Sequence, residues 1–308
     1  MMDILRNLHI YTIKVNCEVI SPITFPNFPG IALRGGFGLA LKNSVCIMKQ
    51  HKYCKECPLA TMCVYAIIFE TPNVKPSEKM SQSEYIPHPF SLAPLFDYPA
   101  HFKEGDTFSF KFSLFGDAFK YFPNVLHAFI QLGDNGIGIK RGRFTIKSIQ
   151  DYASNATIYD GETIQLSDLK AIQFYNTEYT HDTLEISFLT PCKIKSNGKY
   201  QKYVDLETII KNIKRKIEII TYFFENNPII IDISNINFNS IHCVSQDIKM
   251  EYVKRYSKRR NQKMSLGGYK GKAVFSGNVQ SVYSFLKIGE FINIGSNTSF
   301  GFGAIQVV

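Results

Sequence analysis

The sequence predicts an α+β fold built from two units of similar design. Its 308 residues are enough for about two domains. A content of 45% apolar and 20% charged residues is ordinary globular composition and excludes a disordered, collagen-like or coiled-coil chain. The first half has the predicted order strand, helix, strand, helix, strand, which is typical of a split βαβ, ferredoxin-like unit. The second half repeats this order loosely, so we expect an N-terminal domain over 1–150 and a C-terminal domain over 180–308.

Hydrophobic periodicity defines the elements of the first half. Alternating apolar residues indicate strands, and apolar residues three and four apart indicate amphipathic helices. The predicted strands are 8–20, 107–114 and 143–149, and the predicted helices are 32–47 and 121–132. Six prolines between positions 71 and 105 predict a mostly extended loop there.

The second half contains the clearest helical pattern of the chain, over 206–224, where isoleucine and phenylalanine recur at steps of three and four. A second helix is predicted over 279–287. The predicted strands are 184–189, 248–256, 272–275 and 304–308. No close sequence repeat links the halves, so the duplication rests on element order alone.

The charge of the chain is concentrated at one end. The net charge is +9, yet residues 1–192 sum to −1 and residues 193–308 to +10. Such asymmetry favours a polyanionic partner, with nucleic acid the first candidate, that one half contacts more than the other. A basic surface that only aids solubility is the alternative.

The sequence also indicates the compartment. No run of 18 apolar residues is present, which predicts no membrane-spanning helix and no membrane partner. The first residues include an acid and lack the apolar core of a secretory signal. Seven cysteines are an odd number, and four fall between positions 46 and 63. We therefore expect a reducing, cytoplasmic location.

Four segments rich in glycine or basic residues are candidates for contact with phosphates. They are 30–38, 133–143, 252–260 and 289–303. Helix starts and glycine-rich loops offer backbone N–H groups to anions, but glycines serve equally in close helix packing and tight turns. The segment 252–260 has five basic side chains interleaved with two tyrosines, a pattern that favours nucleic acid over a solvated strand edge. The candidate RNA-binding residues are Arg34, Lys140, Arg141, Arg143, Lys254, Arg255, Tyr256, Lys258, Arg259 and Arg260.

Four cysteines have metal-ligand spacing. Cys46, Cys54, Cys57 and Cys63 follow the pattern C-x7-C-x2-C-x5-C. A C-x2-C pair supplies two thiolates from one turn, and two more would complete a tetrahedral zinc site. An iron–sulfur cluster or unmetallated buried thiols are the alternatives. Four thiolates leave no open position, so any metal here is expected to be structural. The sequence has no acidic cluster spaced to hold magnesium, so we expect no catalytic metal elsewhere. Cys17, Cys192 and Cys243 are expected in the core.

Several of these segments together resemble one protein family. The residues are Leu33-Arg-Gly-Gly-Phe-Gly38, Cys54-Lys-Glu-Cys-Pro-Leu59, Cys63-Val-Tyr-Ala-Ile-Ile-Phe-Glu70, Gly136-Ile-Gly-Ile-Lys-Arg-Gly-Arg-Phe144, Arg255-Tyr-Ser-Lys-Arg259, Leu266-Gly-Gly-Tyr-Lys-Gly271 and Ile294-Gly-Ser-Asn-Thr-Ser-Phe-Gly-Phe-Gly303. In this order they are similar to the CRISPR-associated endoribonuclease family that processes precursor CRISPR RNA (precursor crRNA; Cas six, of the RAMP superfamily), in a subfamily with an N-terminal four-Cys cluster.

The resemblance implies tandem ferredoxin-like (RRM-like) domains and binding of CRISPR repeat RNA. It also implies metal-independent cleavage, in which a 2′-hydroxyl attacks the adjacent phosphate and leaves a 2′,3′-cyclic phosphate and a 5′-hydroxyl. Such chemistry needs a base, an acid and cations near the phosphate.

The sequence departs from this family at the residues expected to do chemistry. Relatives often have His-x-Gly-Lys where this chain has Asn293-Ile-Gly-Ser296. Asn is no general base and Ser lacks the charge of Lys, so the catalytic residues are undefined, with His51 and Lys42 as weak candidates. The departure favours an alternative function, a non-cleaving RNA-binding subunit of a CRISPR ribonucleoprotein or effector complex with the same fold.

Overall fold

The computed structural model describes residues 8–73, 86–172, 179–196, 198–225, 228–257 and 262–308. Within these residues, each half of the chain forms an antiparallel sheet that packs two helices against one face.

The N-terminal sheet has the strand order β3-β5-β1-β6-β7. Its strands are β1 Ile10–Val19, β3 Phe90–Pro94, β5 Thr107–Phe115, β6 Phe144–Asp151 and β7 Thr157–Tyr159. The helices are α1 Pro29–Val45 and α2 Phe122–Asn135. A small pair joins β2 Ile23–Phe25 to β4 Ala100–Phe102. With β7 set aside, the two central strands are the first and third of a β-α-β-β-α-β unit, the ferredoxin-like arrangement.

Two predictions for this half were wrong in detail. The proline-rich stretch 71–105 contains β3 and β4, because its residues 90–94 are buried and pair with β5 despite the flanking prolines. Helix α1 begins at Pro29 rather than at residue 32, since proline is favoured in the first turn, where its missing N–H costs no hydrogen bond.

The C-terminal sheet has the order β11-β12-β8-β13 and the same connectivity. Its strands are β8 Thr183–Cys192, β11 Ile241–Ser257, β12 Gln262–Gly277 and β13 Ile305–Val307, and its helices are α3 Leu206–Phe224 and α4 Gln280–Ile292. A two-stranded hairpin, β9 Lys195–Ser196 with β10 Lys199–Tyr200, follows β8. The tandem ferredoxin-like fold is therefore confirmed. The strands β11 and β12 are far longer than predicted, because polar and glycine residues conceal their alternation.

The outer part of the β11–β12 hairpin reaches the N-terminal half. Its pairing with β8 stops near Cys192, where Gly268 lies so close that an added Cβ would be 2.6 Å from the Cys192 carbonyl oxygen. Beyond that point Val253 packs with Phe28 and Phe302 in a small apolar cluster of its own. The outer part of the hairpin thus packs against the N-terminal half and bounds the space between the two halves on one side.

The last turn of α4 is the polar joint between the halves. Its carbonyl groups have no partner within the helix. Lys111 of β5 donates to the Glu290 carbonyl, and Ser91 and Ser113 donate to the Phe291 carbonyl at 3.1 and 2.8 Å. A cation at a helix C-terminus is favourable, although burial lowers the pKa of Lys111 to about 8. This contact fixes the N-terminal sheet on the C-terminal helix layer.

Among the described residues, no helix is both long enough and apolar enough to cross a membrane.

Candidate nucleic-acid interface

A groove of about 1160 Å³ lies where the two halves meet. Its walls come from α1, from the segment 65–70, from the turn after α2, from the β11–β12 hairpin and from Phe300 in the C-terminal loop. All four segments that the sequence singled out contribute to this one groove.

Glycines bring these walls together by close backbone approach. A Cβ on Gly30 would lie 2.1 Å from the Phe300 carbonyl oxygen, so α1 begins directly against the C-terminal loop. A Cβ on Gly142 would lie 2.1 Å from the Pro22 carbonyl oxygen, which seats the turn after α2 against the loop after β1. These glycines therefore act in packing, the alternative that the sequence left open.

Arg34 is the most constrained cation of the groove. Its guanidinium carbon lies 4.2 Å from the ring centre of Phe69 and 4.1 Å from that of Phe300. Its Nε donates to Ser299 Oγ at 3.3 Å. Burial, aided by the charge of Arg255, lowers the pKa of Arg34 to about 10, which leaves it charged at neutral pH.

His88 positions Arg34 and is a neutral imidazole. Arg34 Nη2 can only donate, so His88 Nε2 accepts across the 2.9 Å contact. The Thr71 hydroxyl donates to the Ile86 carbonyl at 2.7 Å, so it accepts from the N–H of His88 Nδ1 at 3.2 Å. Burial and Arg34 lower the pKa of His88 to about 3. Both ring nitrogens are thus occupied, and His88 is no donor of protons at neutral pH.

Tyr65, Glu70 and Lys42 form the second polar group of the groove. The Tyr65 hydroxyl donates to Glu70 Oε1 at 3.0 Å, and Lys42 Nζ lies 5.4 Å from the Tyr65 ring centre. Burial and the neighbouring Glu70 carboxylate raise the pKa of Tyr65. A carboxylate and an ammonium group therefore both lie near one phenol that stays protonated.

The charge of the groove is strongly positive. Arg34, Lys42, Arg141 and Arg255 line it against one acid, Glu70, among the described residues. The Arg255 guanidinium carbon also stacks on Phe300, at 4.1 Å from the ring centre. Clefts lined by one sign of charge concentrate the opposite charge, so this groove suits a phosphate backbone.

The other predicted RNA-binding residues have three outcomes. Lys140 and Arg143 are exposed on the turn after α2 but outside the groove lining, and Lys254 is exposed on β11. Tyr256 belongs to the end of β11. The remaining three, Lys258, Arg259 and Arg260, lie outside the described residues.

The cysteine cluster forms a separate cavity of about 280 Å³. Cys46, Cys54, Cys57 and Cys63 all line it, together with His51. Burial, Glu70 and the other thiols raise the pKa of Cys54 to about 11. The donor set fits zinc, but among the described residues no three Cys, His, Asp or Glu side chains are grouped so that they could hold a metal ion. Metal binding would require the thiols to draw together, and it stays a prediction.

Of the three other cysteines, which were all predicted in the core, only two are buried. Cys17 and Cys192 are buried as expected, whereas Cys243 is exposed. The prediction for Cys243 was wrong because β11 is the edge strand of its sheet, with much of its length open to solvent.

Asn293 serves the fold and does not line the groove. It is fully buried, and its Nδ2 donates to the carbonyls of Leu92 at 3.0 Å and Phe302 at 3.2 Å. Ser296 is also absent from the described lining, and its N–H donates to the Lys193 carbonyl at 2.8 Å. A His and a Lys at these two positions would therefore not stand beside Arg34 in this structure.

Sequence reasoning missed how the residues of the groove are organised. Tyr65, Phe69, Glu70 and Phe300 lie in segments that carry the family resemblance, but their contacts with Arg34 and with one another were not predicted. His88 was given no role. Tyr65, Phe69 and Glu70 follow the last cysteine at helical spacing, which was an available signal. No local signal marked His88, because its partners Thr71 and Arg34 are 17 and 54 residues away in the sequence.

Two conserved-domain matches agree with this two-part architecture. Residues 8–171 match AF_1859_N, described as an N-terminal domain, and residues 186–305 match the CRISPR-associated endoribonuclease Cas6. The chain thus belongs to the protein family that has this N-terminal domain. The match of its C-terminal half supports a relationship to the Cas6 family of the RAMP superfamily. The subfamily with four cysteines stays a prediction.

Individual relatives extend over nearly the whole chain. An uncharacterised protein of Archaeoglobus fulgidus is 24% identical over 289 residues, which cover 92% of each chain. Thermus thermophilus Cas6 has a similar structure, with a TM-score of 0.55 at 14% identity over 98% of this chain and 99% of that one. A Cas6-RT-Cas1–Cas2 complex contains a chain with a TM-score of 0.55 at 12% identity, covering 98% of this chain and 29% of that one. At these identities the structural matches show a shared fold.

Proposed function

We propose that this protein binds CRISPR repeat RNA in the groove between its two halves and cuts precursor crRNA there. The observation that supports this most strongly is the placement of four cations against one acid, with Arg34 held between two rings. A fixed cation loses little entropy when it binds a phosphate, and it needs no reorganisation as charge develops there.

The reaction proposed is attack of a ribose 2′-hydroxyl on the adjacent phosphorus. The 2′-oxygen–phosphorus bond forms as the phosphorus–5′-oxygen bond breaks, which leaves a 2′,3′-cyclic phosphate and a 5′-hydroxyl. We assign Glu70 to accept the 2′-hydroxyl proton and Lys42 to protonate the departing 5′-oxygen, with Arg34 and Arg255 neutralising the phosphate. Tyr65 holds the Glu70 carboxylate in place through its hydrogen bond.

A non-cleaving RNA-binding role is the second candidate. It is favoured by one observation: the only imidazole among the described lining residues is that of His88, which is neutral and occupied at both nitrogens. Such a protein would hold repeat RNA for a CRISPR complex. The Cas6-RT-Cas1–Cas2 complex is an assembly that contains a chain of this fold.

Single-turnover cleavage of repeat RNA tests the assignment. Glu70→Gln keeps the acceptor for Tyr65 but loses the base, and Lys42→Met keeps the apolar stem but loses the acid. We expect each to lower the rate by about 10²–10⁴-fold with RNA affinity changed far less. His51→Gln is the control, since His51 lies in the cysteine cavity, and it should leave the rate unchanged.

The outcomes separate the candidates. A wild-type rate for Glu70→Gln would overturn the assignment of the base. Tight binding of repeat RNA by the wild type without any product would favour the non-cleaving role.

A further inference from the structure

A basic hairpin outside the groove has no role in the function described so far. It consists of residues 193–196 and 198–203 and includes β9 and β10. Four lysines occur in it, and none of its residues is acidic. The lysines are Lys193, Lys195, Lys199 and Lys202, and all but the first are exposed.

Within the described residues, no acid neutralises the lysines of the basic hairpin. Several lysines elsewhere do pair with carboxylates, as Lys147 does with Glu18 at 3.1 Å and Lys272 with Glu185 at 2.8 Å. Across the described part of the chain, no salt bridge involves a lysine of the basic hairpin. Four uncompensated ammonium groups repel one another, so the arrangement favours a polyanion over water alone.

One aromatic ring holds two of these charges together. Lys193 Nζ lies 4.0 Å and Lys195 Nζ 4.8 Å from the ring centre of Tyr200. The negative face of an aromatic ring attracts ammonium groups. A lysine already held against the ring loses less conformational entropy when it binds a phosphate. The Tyr200 ring therefore holds the ammonium groups of Lys193 and Lys195 close together before any ligand binds.

The basic hairpin is connected to the groove by one short loop. The Lys193 carbonyl accepts the N–H of Ser296 at 2.8 Å, and four residues later Phe300 lines the groove between the two arginines. A Cβ on Gly295 would lie 2.6 Å from the same Lys193 carbonyl oxygen, so the contact is close along the backbone. A strand leaving the groove over this loop would meet the lysines next.

We propose that the basic hairpin is a second RNA-binding site, which grips the phosphates of single-stranded RNA as it leaves the groove over the C-terminal loop. This inference rests on the proposed RNA-binding function and extends it by a site that reads charge without reading sequence. It predicts that the protein's footprint on its RNA is longer than the groove.

The test combines protein variants with RNA length. Lys195→Ala/Lys199→Ala removes two exposed cations, and the control Lys147→Ala/Lys211→Ala removes two exposed cations that are paired with acids. Each single-strand phosphate contact contributes about 0.7 to the salt slope, equivalent to about fivefold affinity per contact at 0.1 M salt. We expect the hairpin variant to lose about 25-fold and 1.4 units of slope on repeat RNA with flanking nucleotides, while the control changes little.

Shortening the RNA from each end in turn provides the second arm. On RNA shortened at the end that reaches the hairpin, wild type and hairpin variant should bind equally. Equal loss by the control variant, or no loss by the hairpin variant on the long RNA, would overturn the second site. Failure of the wild type to bind any repeat RNA would instead overturn the proposed function itself.

Discussion

Replacing Asn293 by His, together with Ser296 by Lys, installs the residues that the family resemblance led us to expect at these positions. From sequence alone the change would be expected to raise a cleavage rate. The structure predicts the opposite, because Asn293 is fully buried and its amide donates to two backbone carbonyls, those of Leu92 and Phe302. The backbone carbonyl of Asn293 also accepts from Lys216 Nζ at 3.0 Å.

The cost follows from these contacts. An imidazole with one N–H can satisfy only one of the two carbonyls, and an unsatisfied buried acceptor costs about 1–3 kcal/mol. The larger ring in a closed site costs about 1–3 kcal/mol more. We therefore expect a loss of about 2–6 kcal/mol, a large part of the stability of an ordinary protein, and a melting temperature lower by about 4 °C or more.

Thermal unfolding and single-turnover cleavage in EDTA measure the two expectations. Asn297→His is the matched control, since Asn297 lies in the same loop with a similarly positive φ of 64° but is only half-buried. The control should melt near the wild type, and the double variant should melt earlier without any gain in rate. A folded double variant that cuts faster than the wild type would refute this reasoning.

Three further predictions concern the groove and the cysteine cavity. Arg34→Lys should weaken repeat-RNA binding in filter or fluorescence titrations, because an ammonium group cannot both stack between Phe69 and Phe300 and make the hydrogen bonds of a planar guanidinium. Equal affinity of the variant and the wild type would contradict this. His88 has a folded pKa of about 3 against 6.5 when unfolded, so stability should be full above pH 6.5 and fall by about 2 kcal/mol at pH 5. In melting scans across this range His88→Gln should remove that part of the slope, and substitution of the exposed His127 by Gln should not. Identical slopes would count against a neutral His88. Elemental analysis should find about one zinc per chain, and Cys54→Ser or Cys57→Ser should lower the melting temperature; iron with sulfide, or no metal, would reject zinc.

The fold was largely predictable because its helices and central strands have strong periodicity. The helix Leu206–Phe224 was predicted to the residue, since one face is continuously apolar and Asp205 caps its start. The short strand Phe90–Pro94 was missed because all five of its residues are buried, which removes the alternation that identifies a strand, and because Pro89 precedes it and Pro94 ends it.

The groove was predictable only in part. Its glycine-rich walls and Arg34 could be found locally, since each is a short segment with a distinctive composition. The pairing of His88 with Arg34, and of Asn293 with Leu92, joins residues 54 and 201 positions apart. Such contacts depend on how the two halves pack, and no local pattern of residue types encodes them.

The central claim is that RNA bound in this groove is cut by its own 2′-hydroxyl. The most direct measurement is single-turnover incubation in EDTA of wild-type protein with two repeat RNAs, one all-ribose and one with a single 2′-deoxy nucleotide 5′ of the cut. We predict that both RNAs bind equally, that the ribose RNA yields a 2′,3′-cyclic phosphate and a 5′-hydroxyl, and that the deoxy RNA stays intact. Cleavage of the deoxy RNA at the same position, or cleavage that appears only when magnesium is added, would contradict the account.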